Sequence, residues 1–491
     1  MADSYQLQTV SIAFHSKITI LRRFFTRDNR HMLRSFFKQA KPLMVLMLPI
    51  LGTQLAQTGM GVVDTLIAGL AGTLDLASIA VGSSIWLPIV LFEAGIMVAL
   101  TPMVAHAKGA KNKQQSAHYL QQGIYLGLVI GLVAMTIMLL GTRPLMALME
   151  ISEDIQSITV DYLFYIALAL PAVAIHQAFR SYNEAVHLTK PVTVIAFAGL
   201  LLNIPLNLVF VFGFGPIEAM GGPGCGLASL IVFYLMTIAI WVFTSLSKHH
   251  QKVKPLQNFT APNIKTIGNI SAVGLPIGLA IFAEVSLFCI IALFIAQLGP
   301  VVVAAHQITL NITTVTFMVP LSLATALTVR VGHELGRNQP VAAKQAWVNA
   351  IQINLIFALF NASILFFLGG ALASLYSQDQ HVLSLAVLLM MHAAVFQISD
   401  SIQVGAAGAL RGYKDTMVTL AISIVSFWFV GLPLGYYLGL SHVAPMGAAG
   451  FWVGLIVGLS VNAVLLLSRL YYVSRKAINQ LDIRPHAVIQ N

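Results

Sequence analysis

Charge is scarce in this sequence. Asp, Glu, Lys and Arg together make up 9% of the 491 residues, whereas about 25% is usual in soluble proteins. Hydrophobic residues make up 58%, and apolar runs of about 20 residues, the length that crosses a bilayer, recur along nearly the whole chain. The composition therefore excludes a soluble multidomain protein and predicts an α-helical protein with many membrane spans.

Several chemical signatures are also missing. Only two cysteines occur, Cys225 in a glycine-rich loop and Cys289 within an apolar run, so a disulfide between them is not expected. The sequence has no HExxH zinc motif, no Walker phosphate loop and no aspartate cluster that could hold Mg²⁺ and a diphosphate. These absences argue against an enzyme and against a resident cofactor, and they imply that any transport is driven by an ion gradient.

The basic residues fix the expected topology. Twelve spans are predicted, at residues 43–70, 78–106, 118–141, 159–180, 192–214, 226–246, 268–298, 302–330, 344–370, 383–411, 417–439 and 447–471. With these boundaries every Lys and Arg except Arg143 lies on one side of the membrane. Because cytoplasmic loops carry the excess of Lys and Arg, both termini are predicted in the cytoplasm. The excess of Lys and Arg in the cytoplasmic segments then accounts for the net charge of +10, and no nucleic-acid partner is expected.

The two halves of the chain repeat each other. Pro49 aligns with Pro276, and the motif "HAKG" that ends at Gly109 aligns with "HELG" that ends at Gly336, at a constant shift of 227 residues. Each half holds an even number of spans, so the repeats are parallel, an arrangement typical of transporters. The predicted fold is an all-α membrane protein of twelve transmembrane helices in two six-helix lobes.

The predicted domain boundaries follow from the spans and the repeat. They are a basic cytoplasmic arm at 1–41, an N-terminal lobe at 42–246, a cytoplasmic linker at 247–267, a C-terminal lobe at 268–471 and a cytoplasmic tail at 472–491.

Four acidic residues fall well inside predicted spans, and no Lys or Arg is expected deep in a span to neutralise them. They are Asp64, Glu93, Glu284 and Asp400. A carboxylate within the bilayer is costly unless a cation or a proton offsets its charge. We therefore predict that Asp64, Glu284 and Asp400 bind a coupling cation, with Na⁺ possible at the last two. For Glu93, a packing role and a gating role are equally consistent with the sequence.

Polar side chains recur near three of these acids. Gln54 and Gln57 share a helical face with Asp64, Asn203 and Asn207 lie one turn apart in span 5, and Gln397 lies one turn before Asp400. His306 opens a polar run in span 8, although an interior structural histidine is the alternative. Lipid cannot satisfy such side chains, so these faces are predicted to line the bundle interior or a wet cavity.

Three segments resemble one transporter family. "VDTLIAGLAGTLDLASIAVGSSIWLP", "LPIGLAIFAEVSLF" and "SDSIQVGAAGALRGYKDT" are similar to the multidrug and toxic compound extrusion (MATE) family, in its NorM-type branch. The resemblance covers residues 40 to about 475. It implies a cation-coupled antiporter, with Na⁺ or H⁺ as the coupling ion, that exports organic, often cationic or aromatic compounds by alternating access. A monomer in the bacterial inner membrane and a role in antibiotic resistance are implied as well.

The resemblance also implies roles for particular residues. Glu284 and Asp400 would form a cation site in the C-terminal lobe, and Asp64 with Asn203 and Asn207 would form a protonation or substrate site in the N-terminal lobe. Some sodium-coupled members carry a tyrosine one turn before the span-10 aspartate. This chain has Phe396 there, so the choice between Na⁺ and H⁺ stays open.

Two other functions fit a polytopic chain. A flippase for a lipid-linked or polysaccharide intermediate would need a basic cavity for phosphates, which the sequence does not predict. A membrane-embedded transferase would need clustered aspartates and large polar loops, and the sequence has neither.

Overall fold

The computed structural model describes residues 28–148, 152–247, 254–257, 259–440 and 445–483. Most of these residues are helical, because a helix satisfies its backbone N–H and C=O groups within its own segment and needs no water to do so. The α-helices are Asp28–Ala71, Thr73–Met97, Leu100–Gly109, Lys113–Leu148, Glu153–Ala185, Thr189–Phe212, Gly222–Leu246, Ile264–Ala296, Pro300–Gly336, Pro340–Ser374, Gln380–Gly412, Thr416–Ile424, Leu432–Leu440 and Ala448–Ile483.

These helices give twelve segments that are long and apolar enough to cross a membrane, as predicted. Spans 1 to 12 are Ala40–Ala71, Thr73–Gly109, Lys113–Leu148, Glu153–Ala185, Thr189–Phe212, Gly222–Leu246, Ile264–Ala296, Pro300–Gly336, Pro340–Ser374, Gln380–Gly412, Thr416–Leu440 and Ala448–Gln480. Span 2 is interrupted between Met97 and Leu100, and span 11 contains a π-helix, Val425–Gly431. The π-helix brings Gly431 against the backbone of Gly454 in span 12.

Two six-helix lobes are present, each with its own apolar core. We call spans 1–6 the N-lobe and spans 7–12 the C-lobe. Buried residues from all six spans of the N-lobe form one cluster, which includes Ile67, Ile79, Met138, Ile166 and Val211. All six spans of the C-lobe contribute to a second cluster, which includes Ile291, Ile308, Leu365, Leu389 and Trp452. The boundaries of the arm, linker and tail stay a prediction, since residues 1–27, 248–253, 258 and 484–491 lie outside the described residues.

The lobes contact each other at the end of the bundle where span 1 begins and span 12 ends, here called the terminal end. Leu43, Met47 and Ile50 of span 1 share an apolar cluster with Leu323 and Leu327 of span 8. Farther along the bundle, Gly274 and Gly278 of span 7 pack against the backbone of Ile96 and Phe92 in span 2. This packing holds spans 1 and 2 against spans 7 and 8 over the terminal half of the bundle.

A short connection between spans 4 and 5 strengthens the contact at the terminal end. The ring of His187 lies 5.4 Å from the ring of His333 in the C-lobe, and Nζ of Lys108 donates to the carbonyl of Val186 at 2.6 Å. Burial, together with the nearby charges of Lys108, His333 and Arg330, lowers the pKa of His187 to about 3. His187 is therefore neutral at physiological pH in this arrangement.

At the opposite end, here called the far end, polar side chains of span 8 are exposed. Gln307, Asn311 and Thr314 lie on one face of this span, and Nε2 of Gln307 donates to Oδ1 of Asn311 at 3.2 Å. Exposed amides cannot be satisfied by lipid, so we expect this face to meet water. The lobes are thus closed together at the terminal end, while a polar surface is open toward the far end.

Candidate functional site

The first acidic site lies in the N-lobe, around Asp64. This side chain is only 8% exposed. Its Oδ1 accepts hydrogen bonds from Nδ2 of Asn203 at 3.1 Å and Nδ2 of Asn207 at 2.7 Å, and its Oδ2 accepts from Oγ of Ser229 at 2.9 Å. The structure therefore brings together the three residues that the sequence grouped, and it adds Ser229 from span 6. These donors solvate the carboxylate but carry no charge that could neutralise it.

Gln54 and Gln57 belong to a separate network, centred on Arg180. Nη2 of Arg180 donates to Oε1 of Gln54 and Nη1 donates to Oε1 of Gln57, both at 2.7 Å, while Nε binds Oε1 of Glu184 at 2.8 Å. Arg180 is 7% exposed and lies within span 4. Span 4 extends to Ala185, beyond its predicted end at residue 180, so the expectation that no Lys or Arg lies deep in a span was wrong for Arg180. Its charge is balanced by Glu184.

The second acidic site lies in the C-lobe and joins spans 7 and 10. Nε2 of Gln403 donates to Oε1 of Glu284 at 3.3 Å and to Oδ1 of Asp400 at 3.2 Å, while Oε1 of Gln403 accepts from Nδ2 of Asn462 at 3.1 Å. Gln403 thus brings both carboxylates to one amide. Among the described residues, no donor reaches Oδ2 of Asp400, although this side chain is 2% exposed.

The surroundings of the second site are partly apolar. Phe396 packs edge-on against Phe288 and Trp452, with ring centroids 6.2 and 5.7 Å apart, and lies in the C-lobe core. Nδ1 of the buried His306 accepts from Nε1 of Trp452 at 3.2 Å. The structure therefore places Phe396 and His306 inside the apolar packing of the C-lobe, which separates them from the exposed polar face of span 8.

Gln397 lies between this packing and the acids. Its Nε2 donates to Oγ1 of Thr316 in span 8, whereas its Oε1 has no donor among the described residues. The C-lobe thus offers amide and carboxylate oxygens that lack protein donors. Such hard oxygens are the ligands that suit a small cation, and a carboxylate can instead take up a proton. Glu284 and Asp400 with this oxygen set therefore fit the Na⁺ or H⁺ expected from the sequence.

Glu93 stands apart from both acidic sites. It is 1% exposed, and neither carboxylate oxygen has a hydrogen-bond partner among the described residues. Phe92 and Ile96, its neighbours in span 2, pack against Gly278 and Gly274 of span 7. Glu93 thus lies in the helix that carries this contact between the lobes.

Sequence reasoning missed four residues of these networks. Ser229 is a common polar residue within an apolar run, and nothing in one sequence indicates which carboxylate it contacts. Gln403 lies three residues after Asp400, a spacing that places the two side chains together on one helix. Arg180 was expected at the end of span 4 but lies inside it, five residues before Ala185, whereas Arg411 is the last but one residue of span 10. The spacing of Arg180 and Glu184, four residues apart on one helix, was the available signal for a buried ion pair.

A family model described as MatE matches residues 49–209 and 276–437 of this chain. Curated relatives are similar over almost their whole length. The "Probable multidrug resistance protein NorM" of Idiomarina loihiensis is 43% identical over 431 residues, 87% of this chain and 93% of that protein. The "Multidrug resistance protein NorM" of Vibrio vulnificus is 40% identical over 441 residues, 89% of this chain and 96% of that protein.

Solved structures share the fold at low sequence identity. The crystal structure of the eukaryotic MATE transporter AtDTX14 aligns with a TM-score of 0.81 and 20% identity, covering 91% of this chain and 99% of that one. A multidrug resistance MATE family transporter in an outward-facing conformation aligns with a TM-score of 0.81 and 19% identity, covering 89% and 96% of the two chains. One matched segment lies in each lobe. The chain therefore belongs to the MatE family, as a transporter of the NorM type and not an enzyme.

Proposed function

We propose that this protein is an antiporter that exports organic compounds, often cationic or aromatic, in exchange for Na⁺ or H⁺. The export of drugs is supported by the relatives, which are named multidrug resistance proteins. The exchange for a cation is supported by the chemistry of the two acidic sites. The protein acts as a monomer in the cytoplasmic membrane, because a single chain supplies both lobes and the cleft between them.

The observation that carries the proposal is the pair of acids joined by Gln403. Glu284 and Asp400 accept from the same amide, and Oδ2 of Asp400 meets no protein donor among the described residues. Two carboxylates that share one low-dielectric site repel each other, so the site favours an added positive charge. Either a coupling cation or a cationic drug can supply it, but the presence of one weakens the binding of the other. Competition for this charge enforces exchange.

Alternating access is supported by how the lobes meet. They are packed together at the terminal end, and the exposed amides of Gln307 and Asn311 lie toward the far end. The bias of Lys and Arg orients the terminal end, and both termini, toward the cytoplasm. In this orientation the cleft opens outward. Export requires the opposite arrangement as well, in which the contacts at the terminal end break and the drug enters from the cytoplasm.

The test is transport by purified protein in proteoliposomes. Movement of a fluorescent organic cation such as ethidium is followed under an imposed Na⁺ gradient and, separately, under an imposed pH gradient. We expect one of the two gradients to accelerate transport at least tenfold, and Asp400→Asn to remove that acceleration. If neither gradient accelerates transport, or if Asp400→Asn transports at the wild-type rate, the proposal is wrong. Movement of a lipid-linked sugar in place of ethidium would favour the flippase.

A further inference from the structure

A cavity within the C-lobe runs from the acidic site toward the terminal end. Spans 7, 10 and 11 line it, and its polar lining is Glu284, Gln403, Arg411, Thr416, Thr419 and Ser423. Arg411 and Thr416 flank the short turn between spans 10 and 11, whereas Ser423 lies seven residues farther into span 11. At about 1.5 Å of rise per residue, the lining follows span 11 for about 10 Å into the bundle.

Arg411 places a fixed positive charge in this cavity. Its side chain lines the same cavity as Glu284, and opposite charges in such a low-dielectric site attract each other. Of the other ionic groups at the turn, Asp415 is paired, because its carboxylate accepts from Nε and Nη2 of Arg469 at 2.7 and 3.3 Å, and Lys414 does not line the cavity. Arg411 therefore acts on Glu284, which shares its cavity, and leaves Asp400, which does not line that cavity, uncompensated.

The net formal charge of the C-lobe site is minus one when all of its charged groups are ionised. Glu284 and Asp400 each contribute one negative charge when ionised, and Arg411 contributes one positive charge. One monovalent cation neutralises this sum, whereas a second would leave an excess of positive charge in a low-dielectric interior, which is strongly unfavourable. The arrangement is thus matched to one exchangeable cation.

We propose that Arg411 is the built-in counter-charge that limits the C-lobe site to one monovalent cation, and that the cavity it lines is that cation's passage between Glu284 and the terminal end. This inference rests on the proposed function. When the coupling cation leaves, Arg411 attracts the carboxylate of Glu284. When the cation binds, it competes with Arg411 for that carboxylate. The hydroxyl groups of Thr416, Thr419 and Ser423 supply a polar wall along which the ion can move.

A charge-restoration experiment tests the counter-charge. Glu284→Gln raises the sum from minus one to zero, Arg411→Gln lowers it to minus two, and the double variant returns it to minus one. Transport is measured in proteoliposomes with Na⁺ and pH gradients imposed together, so the result does not depend on which ion couples. We expect Glu284→Gln to slow transport at least tenfold and the double variant to recover to within about threefold of wild type.

The single Arg411→Gln variant gives an independent readout. The cation concentration that gives half-maximal transport by this variant should fall about tenfold. The reason is that Glu284 without its counter-charge binds the cation more tightly. Arg411→Lys keeps the charge and should behave as the wild type. A double variant as slow as Glu284→Gln, or an unchanged cation dependence in Arg411→Gln, would overturn the proposal.

The passage itself is tested without altering any charge. Ser423→Cys is introduced after Cys225 and Cys289 are replaced by alanine, in a background shown to retain transport. A positively charged, membrane-impermeant thiol reagent is applied from the side of the termini. Ser423→Cys should react at least tenfold faster than Val425→Cys, which places the thiol on the 48% exposed outer surface of the same span. Equal rates for the two cysteines would contradict a passage.

The outcomes separate this inference from the proposed function. If neither gradient drives transport by the wild-type protein, the antiport itself is wrong. If wild-type transport is gradient-driven and Glu284→Gln is inactive, but charge restoration and Ser423→Cys labelling both fail, then only the role of Arg411 and its cavity is wrong.

Discussion

Gly109 and Gly336 face each other across the two lobes in a reciprocal contact. A Cβ atom on Gly109 would overlap the carbonyl oxygen of His333, and a Cβ atom on Gly336 would overlap the carbonyl oxygen of His106. The two residues end the repeated motifs "HAKG" and "HELG", so the internal repeat becomes a symmetric contact at the terminal end. The same segment is fixed by Nε2 of His106, which lies 3.0 Å from the carbonyl of Gly412.

Gly336→Ala should therefore weaken closure at the terminal end. The added methyl group meets backbone atoms that cannot rotate away, and overpacking of this kind costs about 1–3 kcal/mol. We expect transport to fall roughly tenfold and the thermal midpoint of the purified protein to drop. Gly268→Ala is the matched control, since a Cβ on this glycine of span 7 meets nothing within 4 Å. If both variants transport at the wild-type rate, close approach of the lobes here is not required.

Arg180 should matter chiefly for stability. Arg180→Gln leaves the carboxylate of Glu184 buried without its ion-pair partner, a change that costs about 3–5 kcal/mol. It also removes the donors to Gln54 and Gln57, which hold span 1 against span 4. We expect a large drop in the thermal midpoint, and a smaller drop for the double variant Arg180→Gln/Glu184→Gln, in which neither charge remains. Equal drops would show that the stranded acid is not the cause.

Asp64→Asn should remove a charge while keeping the hydrogen bonds of the N-lobe site. The amide oxygen can still accept from Asn203 and Asn207, and the amide nitrogen can donate to Oγ of Ser229. The thermal midpoint should therefore change little, whereas transport should fall at least tenfold if the negative charge takes part in exchange. Ser229→Ala removes one neutral donor and serves as the control, with a decrease in transport of less than about threefold. Full transport by Asp64→Asn would assign this aspartate a structural role.

Acidification should destabilise the closed terminal end through His187. The pKa of this histidine is about 3 in the folded protein and 6.5 in its ordinary state, so below pH 6.5 the unfolded chain binds a proton that the folded protein does not. Stability present above pH 6.5 is therefore lost as the pH falls toward 3, by up to about 2 kcal/mol at pH 5. Thermal midpoints between pH 8 and 5 measure this loss.

His187→Asn provides the comparison for that titration. His187 has a φ of 66°, a conformation that asparagine tolerates better than most residues. The variant should show a shallower decrease of the thermal midpoint between pH 7 and 5 than the wild type. Parallel curves would mean that another group governs the acid sensitivity.

Much of the fold could be predicted from the sequence because hydrocarbon imposes simple rules. Span lengths, the distribution of Lys and Arg and the repeat at 227 residues led to twelve helices in two lobes, with span ends in error by up to about two and a half turns. The group of Asp64, Asn203 and Asn207 was also predicted, but from the family resemblance, because polar faces on two separate spans do not indicate which of them meet.

The contacts within the sites were harder to predict because they depend on helix rotation and on partners from other spans. Gln54 and Gln57 share a helical face with Asp64, yet they contact Arg180, whose position depended on where span 4 ends. Phe396 and His306 were expected beside polar groups, but Trp452 of span 12 packs against both. Periodicity identifies a face of one helix, and only packing decides what that face contacts.

The central claim is that a coupling cation and a cationic drug compete for the negative charge of Glu284 and Asp400. The most direct measurement is the binding of a fluorescent organic cation to purified protein, titrated at increasing Na⁺ concentration and, separately, at decreasing pH. We predict that the Kd of the wild-type protein rises at least tenfold in one of these titrations and that the Kd of Asp400→Asn does not change. A wild-type Kd that is unaffected by Na⁺ and by pH would contradict the account.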